Sequence, residues 1–352
     1  MQAIVINTRP KKGEFQDKIH IQSITKPTPK KNEVLVEIYR ATVTIDDINM
    51  AEGSALGGIP VGPSVSKSNP VSPGIELSGK VEKTGSNVTQ FEVGDLVFGS
   101  IGLPIKAEGP WAKYCCIKEE FLLQKPDYLT HSEAAACAGS GIVACSAIIQ
   151  SCKLQKHHKI LIIGASGGVG TLAVQLASET GAYVIAVCSQ KNKKLVESLG
   201  ASKVIDYTAA SFNDEFQKFN SDKLDFVVDL VGGKEIEKKS VKVLKKMGKF
   251  ITIVGPIPYI GDKYLGFFGI SKLLSYVLWR MFYSIFKGPR YIFCSPTKKT
   301  YPIFREIFKP ESIKPVIDKE INFNEKEVKE AINYVRTHRA TGKVVILVNE
   351  SL

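Results

Sequence analysis

The amino-acid sequence predicts an α/β fold in which a doubly wound parallel sheet is joined to a separate β-rich module, and three observations carry that expectation. The stretch 159–181, KILIIGASGGVGTLAVQLASETG, runs from four apolar residues through Gly164-x-x-Gly167-x-x-Gly170 into Leu172, Val174, Leu176 and Ala177, whose spacing suits a buried helix. Beyond it, strand-like and helix-like segments alternate. Before it, short strands follow one another between prolines and glycines. A chain of 352 residues is too long for one ordinary core and suits two domains.

Residues 1–127 divide into short β-prone runs at 3–7, 19–24, 33–39, 79–83 and 96–99, separated by turn formers such as Pro27, Pro29, Gly53, Gly57, Gly58, Pro60, Gly62, Pro63, Pro70, Pro73 and Gly94. From 128 the pattern changes, and Ser132-Glu133-Ala134-Ala135-Ala136 starts a helix. The apolar run 160–163 is then a strand entering the glycine turn. There Gly164 permits the tight turn, Gly167 and Gly168 let a pyrophosphate approach the backbone, and Gly170 lets the helix lie close to the strand. A dinucleotide would rest on Gly164, Ser166, Gly167, Gly168, Val169 and Gly170, against the unpaired N–H groups of the helix N-terminus. Further strands follow at 183–188, 203–205, 224–230 and 249–254, with helices near 191–199, 212–219 and 234–246. Beyond these come a helix near 298–308, a strand near 315–323, a helix near 324–338 and a final strand at 344–348, the last two returning to the β-rich module. The resulting division is 1–127, then 128–299 with an insertion at 259–294, then 300–352.

Composition narrows the function. Hydrophobic residues at 44% and charged residues at 23% describe a globular chain. The formal charge of +12, from 47 Lys and Arg against 35 Asp and Glu, favours anionic ligands or surfaces. The lysines form no long run and no aromatic-interleaved basic motif, so nucleic acid is not expected as a partner. Seven cysteines without a C-x-x-C pair indicate thiols in a reducing compartment, with neither a disulfide framework nor a cysteine zinc site. The strand pattern begins at the first residues, which favours a cytoplasmic location, or an organellar one for a processed form. His20, His131, His157, His158 and His338 sit in no catalytic or metal signature and read as surface histidines.

Several ordered segments carry a family resemblance: Pro73-Gly74-Ile75-Glu76-Leu77-Ser78-Gly79, Val93-Gly94-Asp95-Leu96-Val97, the glycine turn, Ser198-Leu199-Gly200-Ala201, Val204-Ile205-Asp206-Tyr207, Asp225-Phe226-Val227-Val228-Asp229 and Gly342-Lys343-Val344-Val345. Across nearly its whole length the chain resembles the quinone-oxidoreductase branch of the medium-chain dehydrogenase/reductase superfamily, within it the reticulon-interacting mitochondrial oxidoreductase group. The resemblance implies a GroES-like β-domain, a Rossmann domain that binds NADPH, and hydride transfer to a quinone or α,β-unsaturated carbonyl; a homodimer is the expected assembly. Zinc relatives of this fold need ligands that are missing here. The cysteine region reads Thr42-Val43-Thr44-Ile45-Asp46-Asp47, and Gly-His-Glu reads Gly74-Ile75-Glu76, so no metal is expected.

The second strand of the doubly wound half ends in Cys188-Ser189-Gln190-Lys191-Asn192-Lys193, without the carboxylate that would accept from a ribose 2′-OH and repel a 2′-phosphate. NADPH is therefore the expected cofactor. The resemblance assigns its 2′-phosphate to Ser189, Lys193 and Tyr207, and further cofactor contacts to Val231, Val254, Gly255 and Phe293; a solvated helix face or plain packing is the competing role at these positions. Its substrate-side motif falls on Thr44 and Asp47, whose competing roles are a strand-end threonine and a turn aspartate. Two positions depart from the family pattern: Ala51 replaces an arginine, and Val143 replaces a threonine that helps to hold the nicotinamide. They favour an alternative to the reductase, an NADPH-binding membrane-associated assembly or sensor protein with little catalysis.

Within the insertion, residues 264–287 are rich in large apolar side chains. Ile270, Leu273, Leu274, Val277, Leu278, Met281, Phe282 and Ile285 follow helical spacing, and Lys272, Ser275, Arg280, Ser284 and Lys287 are read as the opposite, polar face. Lys272 and Arg280 interrupt the stretch too much for a bilayer span. Three roles fit it: a lid or dimer contact, a helix lying in a membrane surface, and a site for another protein.

Overall fold

The structure is a computed structural model that describes residues 1–53, 64–101, 109–260, 263, 265–297, 299–308 and 311–349. The turn formers Gly57, Gly58, Pro60, Gly62 and Pro63, and the ends of two expected helices at Tyr264 and Lys298, lie outside the described residues. Two compact units divide the chain: Met1–Gly139 with Lys314–Leu352, and Ser140–Ile260 with Leu265–Ile313.

In the first unit β1 (Gln2–Ile6) pairs antiparallel with β2 (Ile19–Ser23). The central strand β3 (Glu33–Val43) pairs with β4 (Glu76–Thr84), which carries β5 (Leu96–Ser100). β6 (Tyr114–Lys118) also pairs with β3, and β7 (Leu122–Gln124) closes on β5. β6 and β7 are not foreseen in the sequence. This sheet wraps a core that holds Phe15, Ile38, Leu77 and Trp111. The Trp111 indole is fully buried and donates to the Thr42 carbonyl at 2.9 Å, so its polar edge is satisfied.

The second unit carries β8 (Lys159–Ile163), β9 (Tyr183–Cys188), β10 (Lys203–Asp206), β11 (Leu224–Asp229), β12 (Leu244–Thr252) and β13 (Arg290–Phe293). They form one all-parallel sheet in the order β10-β9-β8-β11-β12-β13. Ile160 to Ile163 are all buried, as a strand covered on both faces requires. The helix expected at 234–246 stops at Val243, and Leu244 begins β12. Helical periodicity runs on through Lys245 and Lys246, but in the fold Lys245 reaches the Asp225 carboxylate at 2.7 Å and the backbone is already extended. β13 is a further strand that the sequence reading misses.

β14 (Ile317–Asn322) and β15 (Lys343–Leu347) return to the first unit, and its large sheet runs β14-β15-β3-β4-β5-β7. A buried ion pair ties β15 to β4: Lys343 Nζ lies 2.6 Å from Glu76 Oε2. The same carboxylate accepts from the Thr42 hydroxyl and, at 3.0 Å, from the Gly139 N–H. That last bond holds the helix His131–Cys145 to the first unit as far as Gly139.

One expectation is corrected in the insertion. Its helix, Gly266–Phe286, turns Arg280 and Ser284 inward, whereas the sequence pattern puts them on a solvated polar face. Arg280 pairs with the buried Glu237 carboxylate, which also accepts from Tyr276 Oη at 3.0 Å, and Ser284 Oγ accepts the Tyr291 N–H at 2.9 Å. Leu274, Leu278, Phe282 and Ile285 point outward. Glu237 supplies the reason, because a buried carboxylate draws the guanidinium in.

Removing one partner of the Glu76–Lys343 pair strands a buried charge. Lys343→Met is expected to lower the unfolding free energy by about 3–5 kcal/mol, and Glu76→Leu added to it to restore part of that loss, as read from urea midpoints.

Candidate functional site

The parallel sheet reverses its strand order at β8, whose neighbours are β9 on one side and β11 on the other. Ligands of such sheets bind at the carboxyl ends of the strands beside that reversal. The turn after β8 is fixed to the end of β9, because the N–H groups of Gly164 and Ala165 both donate to the Val187 carbonyl, at 3.2 and 3.0 Å. The helix Gly168–Glu179 then begins, with Gly167 as its N-cap and no side chain capping it. Its leading N–H groups have no partner within the helix. Ser166, Gly167, Gly168 and Val169 are half-buried around that end. A Cβ on Gly170 would lie 2.2 Å from the Gly164 carbonyl oxygen, so only glycine lets the helix come this close. A Cβ on Gly167 would meet nothing nearer than 3.6 Å, which leaves space above the turn. The donors and that space fit an anionic pyrophosphate.

On the β9 side, Ser189 follows the strand, and the Tyr207 N–H donates to the Cys188 carbonyl at 3.2 Å, which sets Tyr207 beside Ser189. Tyr207 is exposed. Lys193 opens the helix Lys193–Ser198 and is exposed, 3.9 Å from Glu197. Asp206, at the end of β10, lies opposite Cys188 in register and was not singled out in the sequence. Its carboxylate accepts from the Thr208 hydroxyl and N–H, at 2.7 and 2.9 Å, which hold it below the usual carboxylate range.

On the β11 side, Asp229 and Thr252 tie two turns together, and the sequence reading assigns neither a role. Asp229 Oδ1 accepts the N–H groups of Val231 and Gly232, at 3.0 and 2.9 Å, while Oδ2 accepts from the Thr252 hydroxyl at 3.2 Å. Thr252 Oγ1 in turn accepts from the Gly255 N–H at 2.9 Å. Burial pushes the Asp229 carboxyl up, and the N–H donors oppose that shift. As a result Val231 lies beside Gly164, whose added Cβ would meet it at 3.1 Å, and Phe293 lies beside Gly255 at 3.3 Å. The structure thus gathers Gly164 to Gly170, Ser189, Tyr207, Val231, Val254, Gly255 and Phe293 along the carboxyl ends of the parallel strands, with Lys193 a turn further on.

Thr44 and Asp47 lie in the first unit. They form a capping box on the helix Ile45–Ala51: the Asp47 N–H donates to Thr44 Oγ1 at 3.1 Å, and Asp47 Oδ2 accepts the Thr44 N–H and hydroxyl at 2.7 and 2.8 Å. The Thr44 proton is therefore directed at Asp47. Asp47 is 2% exposed, and burial pushes its carboxyl up to about 8. Its Oδ1 is buried and finds no hydrogen-bond partner among the described residues. Ala51 packs on the first unit's core, and Val143 is half-buried. His131 departs from the surface reading: it sits 2.8 Å from Ser78 Oγ and edge-on to Tyr39, and burial pushes it down to about 4. At the zinc-relative position Ile75 packs on the core, and among the described residues no three His, Cys, Asp or Glu side chains converge as a metal set. The donors at these positions do not fit a zinc ion.

An all-parallel sheet of this order with its glycine turn, together with a separate GroES-like β-domain, defines the class of Rossmann dinucleotide-binding proteins. Residues 30–127 match the family model of the alcohol dehydrogenase GroES-like domain, and residues 199–346 that of zinc-binding dehydrogenase. The chain is 31% identical to the mitochondrial NAD(P)H oxidoreductase RTN4IP1 of Danio rerio, over 91% of this chain and 84% of that protein. It is 30% identical to the 2-methylene-furan-3-one reductase of Solanum lycopersicum, over 92% and 74%. The quinone oxidoreductase structure from Coxiella burnetii shares the fold, with a TM-score of 0.73 at 23% identity and 99% of both chains covered. The chain belongs to the medium-chain dehydrogenase/reductase family of oxidoreductases, and the relatives it resembles include an NAD(P)H oxidoreductase and a 2-methylene-furan-3-one reductase.

Two expected outcomes follow from this geometry. Gly170→Ala lowers the unfolding free energy by about 1–3 kcal/mol in urea, since backbone must move, while Gly167→Ala stays within about 0.5 kcal/mol. For Asp47 the folded carboxyl is raised above the 3.8 of the free group, so its contribution to stability is full below about pH 4 and is lost as pH rises to about 8. The stability of Asp47→Asn relative to the parent should accordingly climb from pH 4 to pH 8; a constant difference would contradict a buried neutral acid.

Proposed function

We propose that the protein is an NADPH-dependent, zinc-independent reductase of quinones or α,β-unsaturated carbonyls. The observation that carries this reading is the glycine turn at the strand-order reversal, flanked on the β9 side by Ser189, Lys193 and Tyr207 with no carboxylate ending β9. When bound, the reduced nicotinamide supplies a hydride. The chain's own residues do the rest. The N–H groups at the start of the helix Gly168–Glu179 receive the pyrophosphate, and Ser189, Lys193 and Tyr207 donate to the 2′-phosphate. Asp206, one strand further, has its charge held by the Thr208 hydroxyl and N–H and by the Gln190 N–H. Val231, Val254, Gly255 and Phe293 line the apolar side toward the nicotinamide. Asp47 is the substrate-side residue of this reading, its carboxyl pushed up to about 8 by burial and its Oδ1 without a hydrogen-bond partner among the described residues. The relatives bearing mitochondrial names support an organellar location.

A specific observation favours the second reading, an NADPH-binding assembly or sensor protein with little catalysis. Thr44 gives its hydroxyl proton to Asp47 and so offers a substrate none, and Val143 has none to give the nicotinamide.

Fluorescence titration with NADPH and NADH, followed by addition of a short-chain quinone, separates the two. The reductase reading expects tighter binding of NADPH and its oxidation by the quinone. Binding without oxidation supports the second reading. Lys193→Glu should reduce the preference for NADPH over NADH by about tenfold or more, one lost charge-assisted contact plus one repulsion.

A further inference from the structure

The helix Gly266–Phe286 keeps its arginine inside and its largest apolar side chains outside. Its inner face is set by Leu273, Tyr276, Val277, Arg280 and Ser284, held through Glu237 and the Tyr291 N–H. Its outer face presents Phe268 at 84% exposure, Leu278 at 66%, Phe282 at 64%, Phe286 at 70% and Trp279 at 53%. Large apolar side chains clustered on one exposed face, with Ser271, Lys272 and Ser275 among them, mark a binding face.

Charge identifies the occupant. The helix contains no Asp or Glu. Between residues 238 and 305 the sequence carries fourteen Lys or Arg and a single acid, Asp262, so this segment holds the whole of the chain's +12 and the remainder is close to neutral. No contiguous basic run announces this; the signal is the missing acids. Several of these cations border the apolar face. Lys272 is exposed on the helix itself, Lys287 lies 6.0 Å from the Tyr283 ring, and the Lys246 carbonyl lies against Gly288 beside an exposed Met247. Trp279 and Tyr283 stack at 5.1 Å on this part of the helix.

We propose that this face docks on an anionic lipid bilayer. The helix lies in the plane of the interface, Phe268, Leu278, Phe282 and Phe286 enter the acyl boundary, Trp279 and Tyr283 sit at headgroup depth, and the lysines meet lipid phosphates. A second copy of the chain is the weaker fit, because a two-fold interface sets a patch against itself and would place this cationic surface on its own image. The helix does not leave the unit to span the bilayer, since Arg280 and Glu237 pin its inner face.

The test uses the full chain with vesicles of phosphatidylcholine alone or with added phosphatidylserine. Flotation should show binding to the anionic vesicles that weakens with salt. The emission of Trp279 should shift to the blue at the same time; the other tryptophan, Trp111, is fully buried and stays silent. Leu278→Ser with Phe282→Ser should weaken binding at least about tenfold with an unchanged urea transition, and Lys272→Gln and Lys287→Gln about fivefold each. An unbound parent protein with an unshifted Trp279, or equal binding to neutral vesicles, overturns the proposal. So does a parent dimer in sedimentation that Leu278→Ser with Phe282→Ser converts to monomer, since a second copy would then cover the face.

Discussion

The close approach of the Gly170 backbone to the Gly164 carbonyl is the constraint on which the second unit's chemistry depends. It lets the helix Gly168–Glu179 start directly over the end of β8, so that its unpaired N–H groups face the ledge formed by the strand ends. A methyl group there would lift the helix away and dissolve that alignment. The ledge is then extended sideways by bonds of a different kind. The Val187 carbonyl grips the turn from β9, and Asp229 with Thr252 fixes the loops after β11 and β12. A row of loop ends joined by hydrogen bonds results.

The parts of this arrangement that were legible in the sequence are those in which neighbours along the chain are neighbours in space. The glycine turn, the apolar strands β8, β9 and β11, and the helices between them each carry their signal within a few residues. The Asp229 latch and the Glu76–Lys343 pair join residues far apart in sequence, and nothing local marks them as partners. Thr44 and Asp47 show the opposite case. Their spacing is that of a capping box, a local signal open to view, and the resemblance gives the same two residues a substrate-side role. The insertion helix forms where expected, but its polar residues Arg280 and Ser284 face inward for another reason. Amphipathic reasoning assumes that water lies opposite the apolar stripe, and here a buried glutamate claims the polar stripe.

The first unit is notable for polar chemistry in its interior. Glu76, Lys343 and Thr42 lie buried together at the join of β4, β15 and β3, and Asp47 feels both charges. Such a cluster adds little net stability against an apolar packing of equal volume, but it admits few alternative arrangements. In this unit it fixes the mutual register of strands from the two ends of the chain.

That register has a consequence for biosynthesis. β15 sits inside the first unit's sheet, between β14 and β3, and it pairs Val344 with Val43 and Leu347 with Arg40. A chain emerging from the ribosome has made all six parallel strands of the second unit by residue 293, while the first unit, though begun earlier, still lacks β14, β15 and the lysine that answers Glu76. The domain that is translated first is thus the last able to close, and until it closes the Arg40–Val43 end of β3 offers an open edge to any passing strand.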